Sequence, residues 1–409
     1  MPPSETRALL LWPVLLCGLL TVLNQTALAA SPAPVVISAA PVVISAAPVV
    51  ISAAPGRPIL ETRGASKFLN FDMMVRNQGD QTLRISKIEM SAYDAGHHLA
   101  LRKALNTDAF APSIAVIGDQ MLTPGKTLDI FNPFPEFDAA VPVDTLQYAF
   151  CLQRETTAEE KEKNLHRLPD DCDFINDFTV TPRLYAGKTP LALPLKGKVF
   201  VWEGHDYYAH HLRVPMSNPK VAAMGITANS NEFAMDFIYT DEAGREYKGD
   251  PQKKENWPSY GKPIFAPGAG VVREAVNDIP DNWFKDAAVT KIGHPDLPPG
   301  KDPKDIGNYV LIDHGNGEFS LLVHMKPGSV AVKAGDRIAQ GQKIGEIGFA
   351  GDSLFPHLHY SLIEGAEDTK VWGLPAYFSR FHRLYGAKSV AVAKGPVNSG
   401  DFVESDGTK

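Results

Sequence analysis

The sequence lacks both an excess of positive charge and long heptad patterns. Its formal net charge is -7 and its pI about 6.0, so no basic field favours a phosphate backbone, and nucleic acid is not an expected partner. The missing heptads argue against helical bundles, while 33 glycines and 33 prolines favour short strands and turns. A length of 409 residues with 44% hydrophobic composition indicates two or three mainly β domains.

Long apolar runs are rare, and the N-terminal one is typical of an export signal. Arg7 precedes the apolar stretch Ala8–Leu23, and Ala27–Ala29 supplies a small-x-small pattern before a cleavage point. We therefore predict a signal peptide over residues 1–29 and export to the periplasm or the extracellular space, with no stable membrane span after its removal. The alternative is a retained signal anchor, because the run is near the lower length limit for crossing a bilayer.

Cysteine is scarce: the chain has three. Cys17 lies in the predicted signal, which leaves Cys151 and Cys172 on either side of the charged segment Arg154–Asp171. An even pair in an exported protein predicts a disulfide that closes this segment, and two free buried thiols are the alternative.

The chain after the signal divides into four predicted parts. Residues 34–54 repeat Pro-Val-Val-Ile-Ser-Ala-Ala three times, and because each proline interrupts a strand ladder, residues 30–57 are predicted to be a low-complexity linker. Residues 58–183 carry alternating stretches such as Leu83–Met90 between turn signals, which predict an immunoglobulin-like β-sandwich. Residues 191–385 are a second strand-rich domain, and the small, polar residues 386–409 predict a disordered tail.

The second domain contains the residues with chemical potential. His357 and His359 are separated by one residue, so on a strand they point to the same face and can share one metal ion. Another histidine, His324, interrupts an apolar run, and Glu232 and Asp236 are two carboxylates four residues apart.

Several ordered motifs accompany these residues between Asn231 and Ile363. They are Gly261–Pro267, Gly270–Val272, Gly307–Gly317, Val332–Asp336, Gly341–Gly345 and Gly351–His359. In order and spacing this segment resembles the lysostaphin/LytM family of zinc endopeptidases, which cut cell-wall peptidoglycan and have the duplicated hybrid motif fold. The resemblance implies a compact antiparallel β metallopeptidase domain with its metal in a groove.

The resemblance also implies roles for individual residues. Asp236 and His359 would be ligands of one Zn²⁺ ion, while His324 and His357 would handle protons of the attacking water and the oxyanion. The family has a histidine four residues before the ligand aspartate, where this chain has Glu232. Glu232 is therefore the expected third ligand, and His210 or His211 is the alternative.

The predicted function is an exported zinc-dependent endopeptidase that hydrolyses peptide bonds, with peptidoglycan or its stem peptides as substrate. The alternative is a degenerate, metal-free peptidase fold that binds and regulates cell-wall hydrolases, and Glu232 is the reason to consider it. A purely structural envelope protein would not explain the clustered histidines. The oligomeric state and the peptide bond that is cut stay open.

Overall fold

The computed structural model describes residues 48–108, 112–163, 167–297 and 306–405, which all belong to one compact unit, Ile44–Lys409. This part of the chain is mainly antiparallel β structure, which confirms the predicted fold class. Its helices are short and are α1 (Ala158–Glu162), α2 (Pro219–Ala223) and the 3₁₀ segments Ile114–Ile117, His210–Arg213 and Lys254–Asn256. No helix of the described residues has the length and apolar character needed to span a membrane. The predicted signal peptide lies outside the described residues.

The N-terminal region, residues 48–184, forms three sheets. Its strands are β1 (Val49–Ala54), β2 (Ile59–Arg63), β3 (Ser66–Leu69), β4 (Asp72–Asn77), β5 (Leu83–Tyr93), β6 (Leu99–Asn106), β7 (Met121–Leu122), β8 (Thr127–Phe131), β9 (Glu136–Asp138), β10 (Thr145–Arg154), β11 (Phe174–Val180) and β12 (Arg183–Leu184). The sheet orders are β1-β4-β8, β11-β10-β5-β6 with β7 on β5, and β12-β2-β3-β9.

These sheets enclose one apolar core. Alternate residues of β5 and β10 face inward because side chains along a strand point to opposite faces, and Tyr148 lies near the centre with its ring edge-on to Phe71. Cys151 and Cys172 form a disulfide, as predicted. The immunoglobulin-like assignment and the boundaries 58–183 stay predictions.

The third sequence repeat corrects the predicted linker. Val49–Ala54 is strand β1, which pairs in register with β4 from Val49 opposite Asn77 to Ala54 opposite Asp72. Pro48 and Pro55 lie just outside the strand, so neither removes a hydrogen-bond donor from its ladder. The linker prediction for residues 30–57 is thus wrong for this repeat.

The C-terminal region, residues 191–405, is built on an eleven-stranded sheet. Its strands are β13 (Lys198–Glu203), β14 (Met235–Ile238), β15 (Pro263–Phe265), β16 (Gly270–Val276), β17 (Trp283–Phe284), β18 (Ile292–Gly293), β19 (Asn308–Asp313), β20 (Phe319–Met325), β21 (Arg337–Ile338), β22 (Lys343–Glu346), β23 (Leu358–Ile363), β24 (Gly373–Leu374), β25 (Phe378–Tyr385), β26 (Lys388–Gly395) and β27 (Phe402–Ser405). The order is β21-β16-β19-β20-β23-β14-β13-β27-β25-β26, with β24 beside β23; β15 pairs with β22 and β17 with β18.

The predicted disordered tail is wrong for residues 388–405. Strand β27 lies between β13 and β25, and Val397 and Val403 are fully buried in the main core. Strand β26 is the outermost strand of the sheet, and most of its side chains are exposed. An edge strand with one wet face has the small, polar composition that suggested disorder.

Candidate metal centre

Three neighbouring strands bring acidic and imidazole side chains into one row. Asp236 on β14 lies directly opposite Glu203 on β13 and His359 on β23. Every residue of β23 is buried; Leu358, Tyr360 and Leu362 face the main core, so His359 points to the opposite face. There Nδ1 of His359 is 3.0 Å from Oδ1 of Asp236, and its Nε2 is 3.0 Å from the Ser361 hydroxyl.

Two more imidazoles face the same space. Nε2 of His357 is 3.4 Å from Oδ1 of Asp236, while its Nδ1 is 2.8 Å from the Phe355 carbonyl. His324 has its Nδ1 2.9 Å from the Ala350 carbonyl, and its ring centroid is 4.7 Å from that of His357. In the rings of His324 and His357, an Nδ1–H can donate to a backbone carbonyl. Nε2 of each ring is then the nitrogen that faces the site.

An irregular backbone accounts for the position of His324. Strict alternation along β20 would put His324 on the same face as Leu322, which packs in the main core. The φ angle of His324 is 61°, in the left-handed region, and the register with β19 shifts between Asn308 and Val310. Met325 then enters the main core while the His324 ring joins the site.

A fourth imidazole comes from outside the sheet. His211 lies in the 3₁₀ segment His210–Arg213, with Nε2 3.8 Å from Oδ2 of Asp236 and its ring 4.7 Å from that of His359. The donor atoms of His211, Asp236 and His359 all lie within 4.8 Å of one another, as do those of His324, His357 and His359. Either group has the spacing needed to hold a metal ion.

The segment that carries His211, residues 205–217, is held against the N-terminal region at several points. The Tyr207 hydroxyl donates to the Asn132 carbonyl at 3.3 Å, and the Arg213 guanidinium lies 4.0 Å from the centre of the Phe131 ring. Near its start, Nε2 of His205 is 3.0 Å from a Glu61 carboxylate oxygen. These contacts fix the course of the segment on which His211 lies.

The charges of the site are strongly coupled. Burial opposes ionisation of Asp236, but the facing imidazoles of His357 and His211 outweigh it and hold its pKa well below the usual value. Burial lowers the pKa of His211 to about 3, and burial with the neighbouring His357 and His359 puts the pKa of His324 well below normal. Burial alone would lower the pKa of His357, yet Asp236 raises it. The ionised Asp236 thus faces His211 and His324, whose pKa values are lowered, and His357, whose pKa is raised.

Glu203 is a buried carboxylate on the far side of His211. Nδ1 of His211, which has no hydrogen-bond partner among the described residues, is 3.9 Å from Oε2 of Glu203. Glu203 also pairs with Nδ1 of the exposed His210 and accepts from the His210 backbone N–H. A carboxylate behind a metal-binding imidazole fixes the ring's orientation and raises its basicity. Sequence reasoning missed Glu203, because its only signal is a position on β13 opposite Asp236.

The structure corrects the prediction that Glu232 is the third ligand. Strand β14 begins at Met235, and Glu232 lies in the preceding turn, where Ala234 N–H donates to the Asn231 carbonyl. The four-residue spacing therefore does not bring Glu232 to the face of Asp236. Among the described residues, none of the groups with metal-binding spacing includes Glu232, whereas His211, a predicted alternative, belongs to two. His210 belongs only to the group with Glu203 and His211.

Residues 257–371 match the model of peptidase family M23. The family match covers the strands that carry His324 and His359 but neither Asp236 nor His211. Through this segment, the chain is similar to family M23. It is also similar to the peptidoglycan DD-endopeptidase ShyA of Vibrio cholerae serotype O1, with 44% identity over 57 residues, or 14% of this chain and 13% of ShyA. An uncharacterized metalloprotease of Buchnera aphidicola is 39% identical over 56 residues, 14% of each chain. The chain thus spans under one sixth of the length of these relatives.

The chain is also similar to solved structures of M23 proteins. The catalytic domain of the prophage-encoded M23 protein EnpA from Enterococcus faecalis shares 20% identity, with a TM-score of 0.21 over 32% of this chain and 68% of that one. A putative peptidase M23 from Pseudomonas aeruginosa shares 12% identity, with a TM-score of 0.24 over 71% and 86% of the two chains. The predicted resemblance to the lysostaphin/LytM family is confirmed by the match of residues 257–371 and by the similarity to ShyA.

Proposed function

We propose that the protein is a zinc-dependent endopeptidase whose metal ligands are His211, Asp236 and His359. The observation that carries the proposal is the mutual approach of these donor atoms to within 4.8 Å in a nearly closed site. Two imidazole nitrogens and one carboxylate oxygen form a donor set that suits Zn²⁺ in hydrolytic enzymes, where a fourth position stays open for water. The unpartnered Nδ1 of His211, facing Glu203, further supports metal binding through its other nitrogen.

Zinc in such a site supplies Lewis acidity and lowers the pKa of bound water. The chain's own contribution is two imidazoles whose proton affinities are pushed apart. His324, with its lowered pKa, is neutral and suited to accept a proton at Nε2. His357, with its raised pKa, is suited to donate one to the oxygen that gains negative charge during peptide hydrolysis. Both Nδ1 atoms are held at backbone carbonyls, so the two rings stay oriented toward the substrate.

We propose peptide cross-links of peptidoglycan as the substrate and the cell envelope as the place of action. Similarity to ShyA, whose name describes a peptidoglycan DD-endopeptidase, supports the substrate class. The predicted signal peptide over residues 1–29 supports export. The other candidate is a metal-free binding module that regulates wall hydrolases. The reason to consider it was that position 232 is glutamate and not the family's histidine. Because His211 lies close enough to Asp236 and His359 to replace that histidine as a ligand, the reason is weaker.

Zinc binding by a small set of variants tests the ligand assignment. Zinc content and competition with a chelator are measured on the purified wild type and on His211→Ala, His359→Ala, His210→Ala and Glu232→Gln, together with release of peptide fragments from purified peptidoglycan. His211→Ala and His359→Ala should weaken zinc binding by more than the roughly 10–100-fold expected for an outer partner, and should abolish cleavage. His210→Ala is the matched control because its ring is exposed, and Glu232→Gln should bind zinc as the wild type does.

Each alternative predicts a different pattern. Loss of zinc in Glu232→Gln with normal binding in His211→Ala would refute the ligand set. A folded wild type that binds no zinc near neutral pH and cleaves nothing would favour the regulatory binding module. Zinc binding without cleavage of peptidoglycan, but with cleavage of other peptides, would retain the enzyme and reject the substrate.

A further inference from the structure

A small polar cavity lies between the N-terminal and C-terminal regions, away from the proposed zinc ligands. Its polar lining includes Asn70 and Asp72, at the start of β4 in the N-terminal region, and Glu232 of the C-terminal region. Apolar side chains, including Phe131 and Trp372, complete the wall. The free space holds about one water-sized sphere. We call this space the interface cavity.

Three of the side chains that line this cavity carry buried oxygens without hydrogen-bond partners. Asn70, Asp72 and Glu232 are all at least 95% buried, yet Asn70 Oδ1, Asp72 Oδ1 and Glu232 Oε1 have no hydrogen-bond donor among the described residues. A buried polar atom without a partner costs free energy, and three in one space call for a common ligand. All three are acceptors, so the ligand must supply positive charge or protons.

The cationic side chains nearby are already engaged. Arg213 lies over the Phe131 ring and donates to the Tyr207 carbonyl at 3.0 Å. Arg183 forms an ion pair with Glu364 at 2.8 Å. Neither guanidinium makes a hydrogen bond to Asp72 or Glu232 within the described part of the chain. The two carboxyl groups are therefore left without a neutralising side chain.

We propose that the interface cavity binds one calcium ion through the oxygens of Asn70, Asp72 and Glu232. Two carboxylates match the charge of a divalent cation, and each can bind through both oxygens. An all-oxygen set favours a hard cation over zinc, which prefers nitrogen and sulfur. Magnesium demands near-ideal octahedral coordination, whereas Ca²⁺ accepts irregular geometry and carboxylates that bind through both oxygens.

Such an ion would join the two regions next to the segment that carries His211. Leu212 lines the cavity beside His211, and Asn229, another lining residue, donates from Nδ2 to the His211 carbonyl at 2.9 Å. No proposed zinc ligand lines the cavity, so the calcium proposal stands or fails independently of the enzyme proposal.

Calcium titration of the purified full chain tests the site. Isothermal calorimetry with CaCl₂ should give one ion per wild-type chain, and Asp72→Asn and Glu232→Gln should each weaken binding by about tenfold or more, because fewer carboxylates bind Ca²⁺ less tightly. Glu346→Gln is the matched control: Glu346 pairs with Lys326 and Lys343 and does not line the cavity. Its affinity for Ca²⁺ should equal that of the wild type.

Terbium luminescence gives a second measurement that does not depend on carboxylate variants folding. Tb³⁺ in the cavity should be sensitised by excitation of Trp372, and Ca²⁺ should displace it. Trp372→Phe should lose this luminescence while it keeps calcium binding. Absence of calcium binding at millimolar concentration in the wild type would overturn the proposal and leave a protonated carboxyl pair. Equal binding by all variants, or unchanged luminescence in Trp372→Phe, would place any ion elsewhere and overturn it as well.

Discussion

Replacement of Asp72 by asparagine should change how the stability of the protein depends on pH. Burial, and next the negative charge of Asp129, raise the pKa of Asp72 from 3.8 to about 8. The folded chain then keeps the Asp72 proton up to about pH 8, while the unfolded chain releases it near pH 4. Without calcium, the unfolding free energy of the wild type therefore falls as pH rises between these two values.

The size of the effect follows from the pKa difference. Between pH 4 and pH 7 the folded chain holds one proton that the unfolded chain has released. At 1.36 kcal/mol per pH unit, this lowers the unfolding free energy of the wild type by about 4 kcal/mol over the three units. This is an upper limit, since water that enters the cavity would stabilise the ionised carboxylate. An asparagine of nearly the same shape has no proton to lose. The calcium-free Asp72→Asn protein should thus equal the wild type near pH 4 and exceed its stability at pH 7.

Urea denaturation in the presence of a chelator at pH 5, 6, 7 and 8 measures this difference. The stability difference between Asp72→Asn and wild type should grow with pH, and Glu346→Gln should not reproduce the growth. Saturating calcium should reverse the order, because only the wild type keeps both carboxylates. A pH-independent difference in the chelated proteins would refute the assignment of a raised pKa to Asp72.

Two other predictions concern Glu203 and the disulfide. Glu203→Gln should fold normally but bind zinc roughly 10–100-fold more weakly in chelator competition, because Glu203 is the carboxylate behind His211; unchanged zinc affinity would remove its positioning role. Replacement of Cys151 and Cys172 together by serine should lower the unfolding free energy by about 3 kcal/mol in urea titration, given a sequence separation of 21. A loss well under 1 kcal/mol would mean that the unfolded chain is already compact there.

The parts of the fold and site that were predicted from the sequence depend on short-range patterns. Separation by one residue put His357, which immediately precedes β23, and His359 in one site, because alternation of side chains is a local property of extended backbone. The motifs between Asn231 and Ile363 indicated the lysostaphin/LytM family, and the resemblance to that family indicated Asp236 and His324 as site residues. The same reasoning failed for Glu232, because the turn between Asn231 and Ala234 keeps its side chain away from the face of Asp236.

The errors arose where tertiary partners decide the structure. The sequence of β1 is identical to two earlier repeats, and only its pairing with β4 gives it a fixed place in a sheet. Strand β26 has no strong β pattern of its own and is hydrogen-bonded along its length to β25. The composition and the periodicity of a segment do not show which neighbouring strand it pairs with. Such strands therefore cannot be predicted from the segment alone.

In the proposed zinc centre the third ligand is His211 and not Glu232, and this assignment gives the N-terminal region a part in positioning a ligand. A histidine at position 232 would be connected to Asp236 by three residues of the C-terminal region alone. His211 instead lies on a segment whose course depends on Asn132, Phe131 and Glu61, all residues of the N-terminal region. The third ligand of the proposed zinc centre is therefore positioned by contact with the N-terminal region, and we expect a change in that contact to move His211 without a change at Asp236 or His359.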